Sequence, residues 1–239
     1  TGVGGGMSTT NEFILQPGYS LGSYWGLKYL GTWKPAEAQE AAKYNEKPGD
    51  SHYADINNDG QINADDFGII GKGIPTTTMG WNNTFSYKHF TLNVFFQGVF
   101  GVDKLDYTRA VALSGSGDAR QYILSEIQGR YIPGQNQTSN IPAFSSTNVV
   151  VTQSSRFIEN GNYVRLKNLS LAYTFPKVVN NKGDIKVFVS GTNLLTFTKY
   201  KGLDPEANNI GSGTDTAQGI DYGAYPNSRT YTLGVNLSY

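Results

Sequence analysis

Cysteine is absent from the 239 residues, which removes disulfides, zinc–thiolate centres and thiol nucleophiles together and leaves the redox compartment open. Histidine is scarce: only His52 and His89 occur, with neither a nucleophile elbow nor a zinc-binding pair around them, so an enzyme is not expected. No sign of charge prevails. The 19 basic and 19 acidic side chains give a formal net charge of zero, which argues against nucleic acid as a partner. Charged residues make up only 16% of the chain, against roughly 25% in an ordinary soluble domain. No apolar run approaches the ~18 residues of a membrane helix. That absence leaves membrane strands untouched, because their alternating pattern averages out of a hydropathy window. The first ten residues lack a starting Met, a basic region and an apolar stretch, and read as a loop and not a signal peptide.

What the chain has in quantity is Gly (29), Tyr (16) and Phe (12), with 3 Trp. The aromatics fall into a pattern. From Tyr231 the apolar positions are Tyr231, Leu233, Val235, Leu237 and Tyr239, separated by Thr232, Gly234, Asn236 and Ser238. This period-two alternation is a strand with one apolar and one small polar face. About eleven such residues rise ~36 Å, or ~25 Å of height at a 45° tilt, matching the apolar band of an outer-membrane barrel. The same alternation runs through Met79, Trp81, Phe85 and Tyr87; Phe90, Leu92, Val94 and Phe96; Leu169, Leu171, Tyr173 and Phe175; and, in phase, Val187 and Val189. Weaker strand signals lie at Phe13 to Gln16 and Leu21 to Trp33, bringing the expected number to about seven.

Connection lengths add a second signal. A two-residue turn at Lys88-His89 joins strands near 78–87 and 90–101, and about nine residues join 163–175 to 185–197. The other connections, 34–77, 102–162 and 198–227, are long. Short and long connections alternate, as periplasmic turns and extracellular loops do in outer-membrane barrels. Within the long connections, Pro35 to Tyr44 and Ala119 to Tyr131 have helix-forming composition. Asn208 to Gly219 is Gly/Ser/Thr/Asn-rich and reads as a mobile loop.

One motif carries metal chemistry. In Asp55-Ile-Asn57-Asn-Asp59-Gly60-Gln61-Ile-Asn63-Ala-Asp65-Asp66, Asp55, Asn57 and Asp59 occupy positions 1, 3 and 5 of a calcium loop. Gly60 supplies the turn, the Gln61 carbonyl is position 7, Asn63 is position 9, and Asp66 replaces the usual Glu at 12. A structural Ca²⁺ would suit these oxygen donors. The bland reading is an Asn/Asp/Gly turn, since the Gly-rich run after Asp66 cannot sustain an exiting helix. Tyr24, Trp25, Tyr29, Trp33, Phe96, Phe100, Tyr107, Tyr200 and Tyr222 suit an interfacial girdle, and aromatic rings of this kind also stack on sugars along a glycan path.

Four separated segments carry a family resemblance: Leu21 to Gly31, Lys47 to Asn63, Ser155 to Pro176, and Ser190 to Glu206. In these residues the chain resembles the C-terminal part of SusC/RagA-like TonB-dependent outer-membrane transporters of Bacteroidetes. The resemblance implies an all-β fold: residues 1–239 as an antiparallel segment of a barrel of about 22 strands, with 34–77, 102–162 and 198–227 as extracellular loops. It implies import of glycans, oligosaccharides or peptides. The implied partners are the rest of the barrel and its plug, outer-membrane lipid, a SusD-like surface lipoprotein, and TonB acting through an N-terminal part that this chain lacks. The alternative reading is a self-contained small barrel or secreted β-domain that binds calcium and glycan.

Overall fold

A computed structural model describes residues 13–14, 17–113, 124–144, 153–179, 182–208 and 218–238. The chain divides into two units. One collects Pro75–Val102, Asn160–Glu206 and Tyr225–Tyr239, and the other Thr1–Ile74, Asp103–Glu159 and Ala207–Ala224.

The first unit is a five-stranded antiparallel sheet of Thr77–Tyr87, Phe90–Phe100, Tyr163–Val179, Gly183–Thr198 and Thr230–Ser238. Neighbours in sequence are neighbours in the sheet, so every connection returns the chain antiparallel to its last strand. The hairpin turn falls at Lys88-His89, where Lys88 takes the left-handed φ of 53° that a two-residue turn demands. The connection expected to span nine residues is shorter. The strand continues past Pro176 to Val179 and pairs again at Gly183, through an irregularity after Phe175. A proline tolerates this because the ladder is already broken there, and the Lys177 N–H donates to the Asp184 carboxylate at 2.9 Å. At ~3.3 Å per residue the 17-residue strand Tyr163–Val179 is about 55 Å long, more than an apolar band of ~25 Å needs even when tilted.

A second irregularity lies higher on the same strand. Leu166 pairs with Phe96 and Asn168 with Phe95, so Lys167 is an extra residue, a bulge. It shifts the alternation by one, and Tyr163 and Arg165 share a face with Asn168.

The second unit is built from short strands. Ser23–Gly26 lies between Phe13–Ile14 and Gly68–Lys72, Tyr29–Thr32 pairs with Ser51–Tyr53, and Asp103–Asp106 pairs in parallel with Ile220–Asp221. Its core joins Phe13, Tyr24, Leu105, Ala110, Leu113, Phe157 and Ile220. The two weaker strand candidates therefore belong here and not to the five-stranded sheet. The physical reason is burial on both faces: Ser23 and Tyr24 are both enclosed, which a strand facing lipid on one side does not allow. Pro35 to Tyr44 is helical as expected, a short α-turn between two 3-10 turns. Of the second expected helix, residues 119–123 lie outside the described residues, and Ser125–Gly129 is a 3-10 turn. An unanticipated helix, Tyr107–Leu113, follows Asp106, whose Oδ1 accepts the Arg109 N–H at 2.9 Å. Thr1–Thr10 and most of Asn208–Gly219 also lie outside the described residues.

Candidate functional site

The five-stranded sheet has two chemically different faces. Register places Met79, Trp81, Phe85 and Tyr87 beside Phe96, Leu92 and Phe90, then Leu169, Leu171 and Tyr173, then Val187 and Val189, and last Leu233 and Val235. This apolar face is open: Trp81 is 53% exposed, Leu233 78% and Val235 59%. An apolar surface of that extent is not left in water; it faces lipid. Asn83, in phase with Trp81 and Phe85, is a polar exception in mid-strand.

The opposite face carries Asn82, Thr84, Asn93, Ser170, Ser190, Thr192, Thr232 and Asn236. Asn93 Nδ2 donates at 3.0 Å to both Asn82 Oδ1 and Thr84 Oγ1, so part of this polar surface is internally bonded. Its two phenyl rings lie over glycines of adjacent strands. A Cβ at Gly234 would run into the Phe188 ring, and one at Gly80 would press on Phe95. One face for lipid and one for water define a membrane β-barrel wall.

Several residues expected in a girdle are elsewhere. Tyr24 is fully buried, donating its hydroxyl to the Gln218 carbonyl at 3.1 Å. Trp33 is buried in a stack, with the His52 ring 3.5 Å and the Tyr44 ring 5.8 Å away. Tyr200 is buried, and Tyr107 packs edge-on against Tyr222. Phe96, against Trp81 at 5.8 Å, is on the apolar face as expected. His89 lies in the hairpin turn with its ring 5.8 Å from Tyr173.

The predicted calcium loop is a tight set of side chain–backbone bonds. Asp55 Oδ2 accepts the Gly60 N–H (2.9 Å), Asn57 Oδ1 the Asp59 N–H (3.0 Å), Asp59 Oδ1 the Gln61 N–H (2.8 Å) and Asn63 Oδ1 the Asp65 N–H (2.7 Å). Asp66 is fully buried and accepts from Ile56, Asn57 and Asn63 N–H. Burial works against its ionisation, but these amides outweigh it and hold the carboxyl below its usual range. Position 12 is thus engaged with backbone. Asp55 Oδ1, by contrast, is buried without a hydrogen-bond partner. Among the described residues no three His, Cys, Asp or Glu side chains converge as a metal site, so a cation here would rely on Asn and carbonyl oxygens beside Asp55 and Asp59.

A charged cluster at one end of the sheet escaped the sequence reading. Arg165 is 3% exposed, and its guanidinium donates to Asp204 Oδ1 (2.5 Å) and Glu206 Oε2 (3.0 Å). Tyr163 Oη (2.8 Å) and the Lys167 ammonium (2.8 Å) also reach Glu206. Asp204 Oδ2 accepts the Asn227 N–H at 2.8 Å. Both ends of the connection 199–229 are thereby tied to one strand. Burial opposes the charge on Asp204, and Arg165 with two backbone amides overcomes it, so the carboxyl ionises below its ordinary range. The available signal was two cations, Arg165 and Lys167, two residues apart in a strand whose other charge is Lys177.

Fold and faces define an outer-membrane β-barrel protein. No family model matches the chain. Among curated proteins it is 36% identical over 235 residues to TonB-dependent receptor P3 of Formosa agariphila, covering 95% of this chain and 23% of the receptor. TonB-dependent receptor P26 of the same organism is 34% identical over 230 residues, covering 93% and 23%. TonB-dependent receptor SusC of Bacteroides thetaiotaomicron is 28% identical over 211 residues, covering 84% and 19%. The RagAB peptide transporter structure shares the fold, with a TM-score of 0.70 at 24% identity over 91% of this chain and 23% of that one. Over nearly its whole length the chain is similar to TonB-dependent receptors, SusC among them, which places it in the bacterial outer membrane. It spans about a quarter of the length of the curated relatives it matches.

Proposed function

We propose that residues 1–239 are the C-terminal barrel portion of a TonB-dependent active transporter that imports oligosaccharides or peptides with a SusD-like lipoprotein. In this reading 34–77, 102–162 and 198–227 are its extracellular loops. The observation that carries it is the two-faced sheet in a chain 36% identical to such a receptor. The sheet ends on Thr77–Tyr87 and Thr230–Ser238, with no further neighbour among the described residues. Open edges in lipid leave backbone groups unsatisfied, so this wall needs more strands. That disfavours a self-contained small barrel. The test is uptake by cells producing the intact receptor or one lacking residues 75–239. The deletion should abolish both the outer-membrane barrel and import. Uptake retained by the deletion, or a folded soluble monomer formed by the chain alone, refutes the reading.

We also propose that Asp55, Asn57, Asp59, Gln61 (through its carbonyl), Asn63 and Asp66 hold a structural Ca²⁺, a reading supported by the unpartnered Asp55 Oδ1. Chelation of the intact receptor should speed amide exchange in residues 50–75, and calcium but not magnesium should reverse it. Unchanged exchange on chelation excludes the ion.

A further inference from the structure

Two guanidinium groups flank the Phe157 ring, which is fully buried. Arg156 Cζ lies 5.0 Å from its centroid and Arg109 Cζ 5.9 Å. Their surroundings differ. Arg109 grips Glu126 through Nε (2.8 Å) and Nη2 (2.5 Å), and reaches Glu159 through Nη1 (3.1 Å). Arg156 also lies over Tyr29, at 5.7 Å, and no carboxylate forms an ion pair with it among the described residues. Burial weakens its hold on its proton. Nor is any of its nitrogens both fully buried and unbonded, so the donors it offers reach the surface of this unit.

An arginine stacked on rings is oriented but not neutralised. The aromatic faces hold its plane and leave the five donors of the fork for an acceptor. A half-buried cation whose charged neighbours are Arg109, which repels it, and Glu126, which Arg109 already holds, is costly to keep without an ion pair. Carboxylate is the acceptor that fits a guanidinium edge in two parallel hydrogen bonds. The relatives carry roughly three further quarters of polypeptide beyond the stretch matched here.

We propose that Arg156 is a docking point for an Asp or Glu side chain contributed by the part of the receptor outside these 239 residues. It fastens the loop unit to that part. The inference rests on the reading of this chain as a segment of a larger receptor. Tyr29 belongs to the same device: its ring holds the guanidinium, and its hydroxyl is fixed on the Asn140 carbonyl at 2.8 Å.

The experiment uses the full-length receptor in outer-membrane vesicles. Arg156→Lys puts a primary amine at the site, and a water-soluble carbodiimide then joins it to any carboxylate in contact. Mass spectrometry should find one amide crosslink absent from wild type, ending on an acidic residue outside this chain. Arg156→Gln should lower the temperature at which the folded receptor is lost, and Arg156→Lys should restore most of it. A crosslink confined to Glu126 or another residue of this chain overturns the proposal, as does no new crosslink. So does loss of binding of a carboxylate-bearing probe, tri-galacturonate, in Arg156→Gln with thermal stability intact, which would make Arg156 a ligand contact. Failure in a receptor that still needs residues 75–239 for import counts against the docking point alone.

Discussion

Asp106 shows how far one side chain departs from its composition. It is 4% exposed, caps the helix Tyr107–Leu113, and has Glu159 and Asp221 as acidic neighbours. Burial raises its pKa from 3.8 to about 6, with those neighbours adding to the rise and the Arg109 N–H opposing it. The folded chain therefore holds this proton more tightly than the unfolded chain. Its stabilising effect is full below about pH 4, falls as pH climbs towards 6, and is gone above that. The span corresponds to roughly 3 kcal/mol. Asp106→Asn keeps an oxygen for the cap and removes the buried charge. It should slow amide exchange across residues 103–113 at pH 7.5 and leave it unchanged at pH 4; slower exchange at both would trace to another cause. None of this was legible in the sequence, where Asp106 is one acid among 19 Asp and Glu. Its neighbours are brought together from residues 50 and more apart. The calcium spacing was legible because all its members lie within one turn-rich stretch, but the engagement of Asp66 with three amides was not.

At the scale of the element, alternation is the informative property. The strand Thr230–Ser238 was readable residue by residue because its two faces meet different solvents, and the register pairs Leu233 with Val189 and Thr232 with Ser190 as that pattern requires. Lysine at position 233 should destabilise the receptor by ~2–4 kcal/mol, while lysine at 232 should cost little. Urea titration of the folded band in lipid vesicles separates the two. Equal losses would mean that the faces are wrongly assigned. Alternation misled where no single solvent face exists. Leu21 to Trp33 reads as a weak strand, yet Ser23 and Tyr24 are both buried, Tyr24 in a core with Phe13, Leu105 and Ile220 that only the tertiary fold supplies. The end of strand Tyr163–Val179 was misjudged for a different reason. Proline ordinarily stops a strand, and the irregularity that accommodates Pro176 has no local marker.

For the whole molecule, the alternation of connection lengths has a counterpart in the two units: most of residues 34–77 and 102–162 fall in one unit, the short turns fall in the other, and 198–227 is divided between them. Among the described residues the wall is one contiguous sheet with two open edges. Under the proposed function, polypeptide outside this chain completes it, and the import test and the Arg156 crosslink probe that reading from the two units separately.

The bulge at Lys167 has a further consequence for how such a chain can change in evolution. Substitutions can accumulate on each face of the wall independently. Loss of Lys167 itself would leave parity intact, because Leu166 and Asn168 already pair with the consecutive residues Phe96 and Phe95. Arg165, closed over by Asp204 and Glu206, would keep its face, whereas one residue lost from the regular ladder between Asn168 and Phe175 turns the residues between that point and the bulge to the opposite solvent. Length variants of the regular ladder should therefore gain or lose residues in pairs, while single-residue losses collect at the bulge and in the loops.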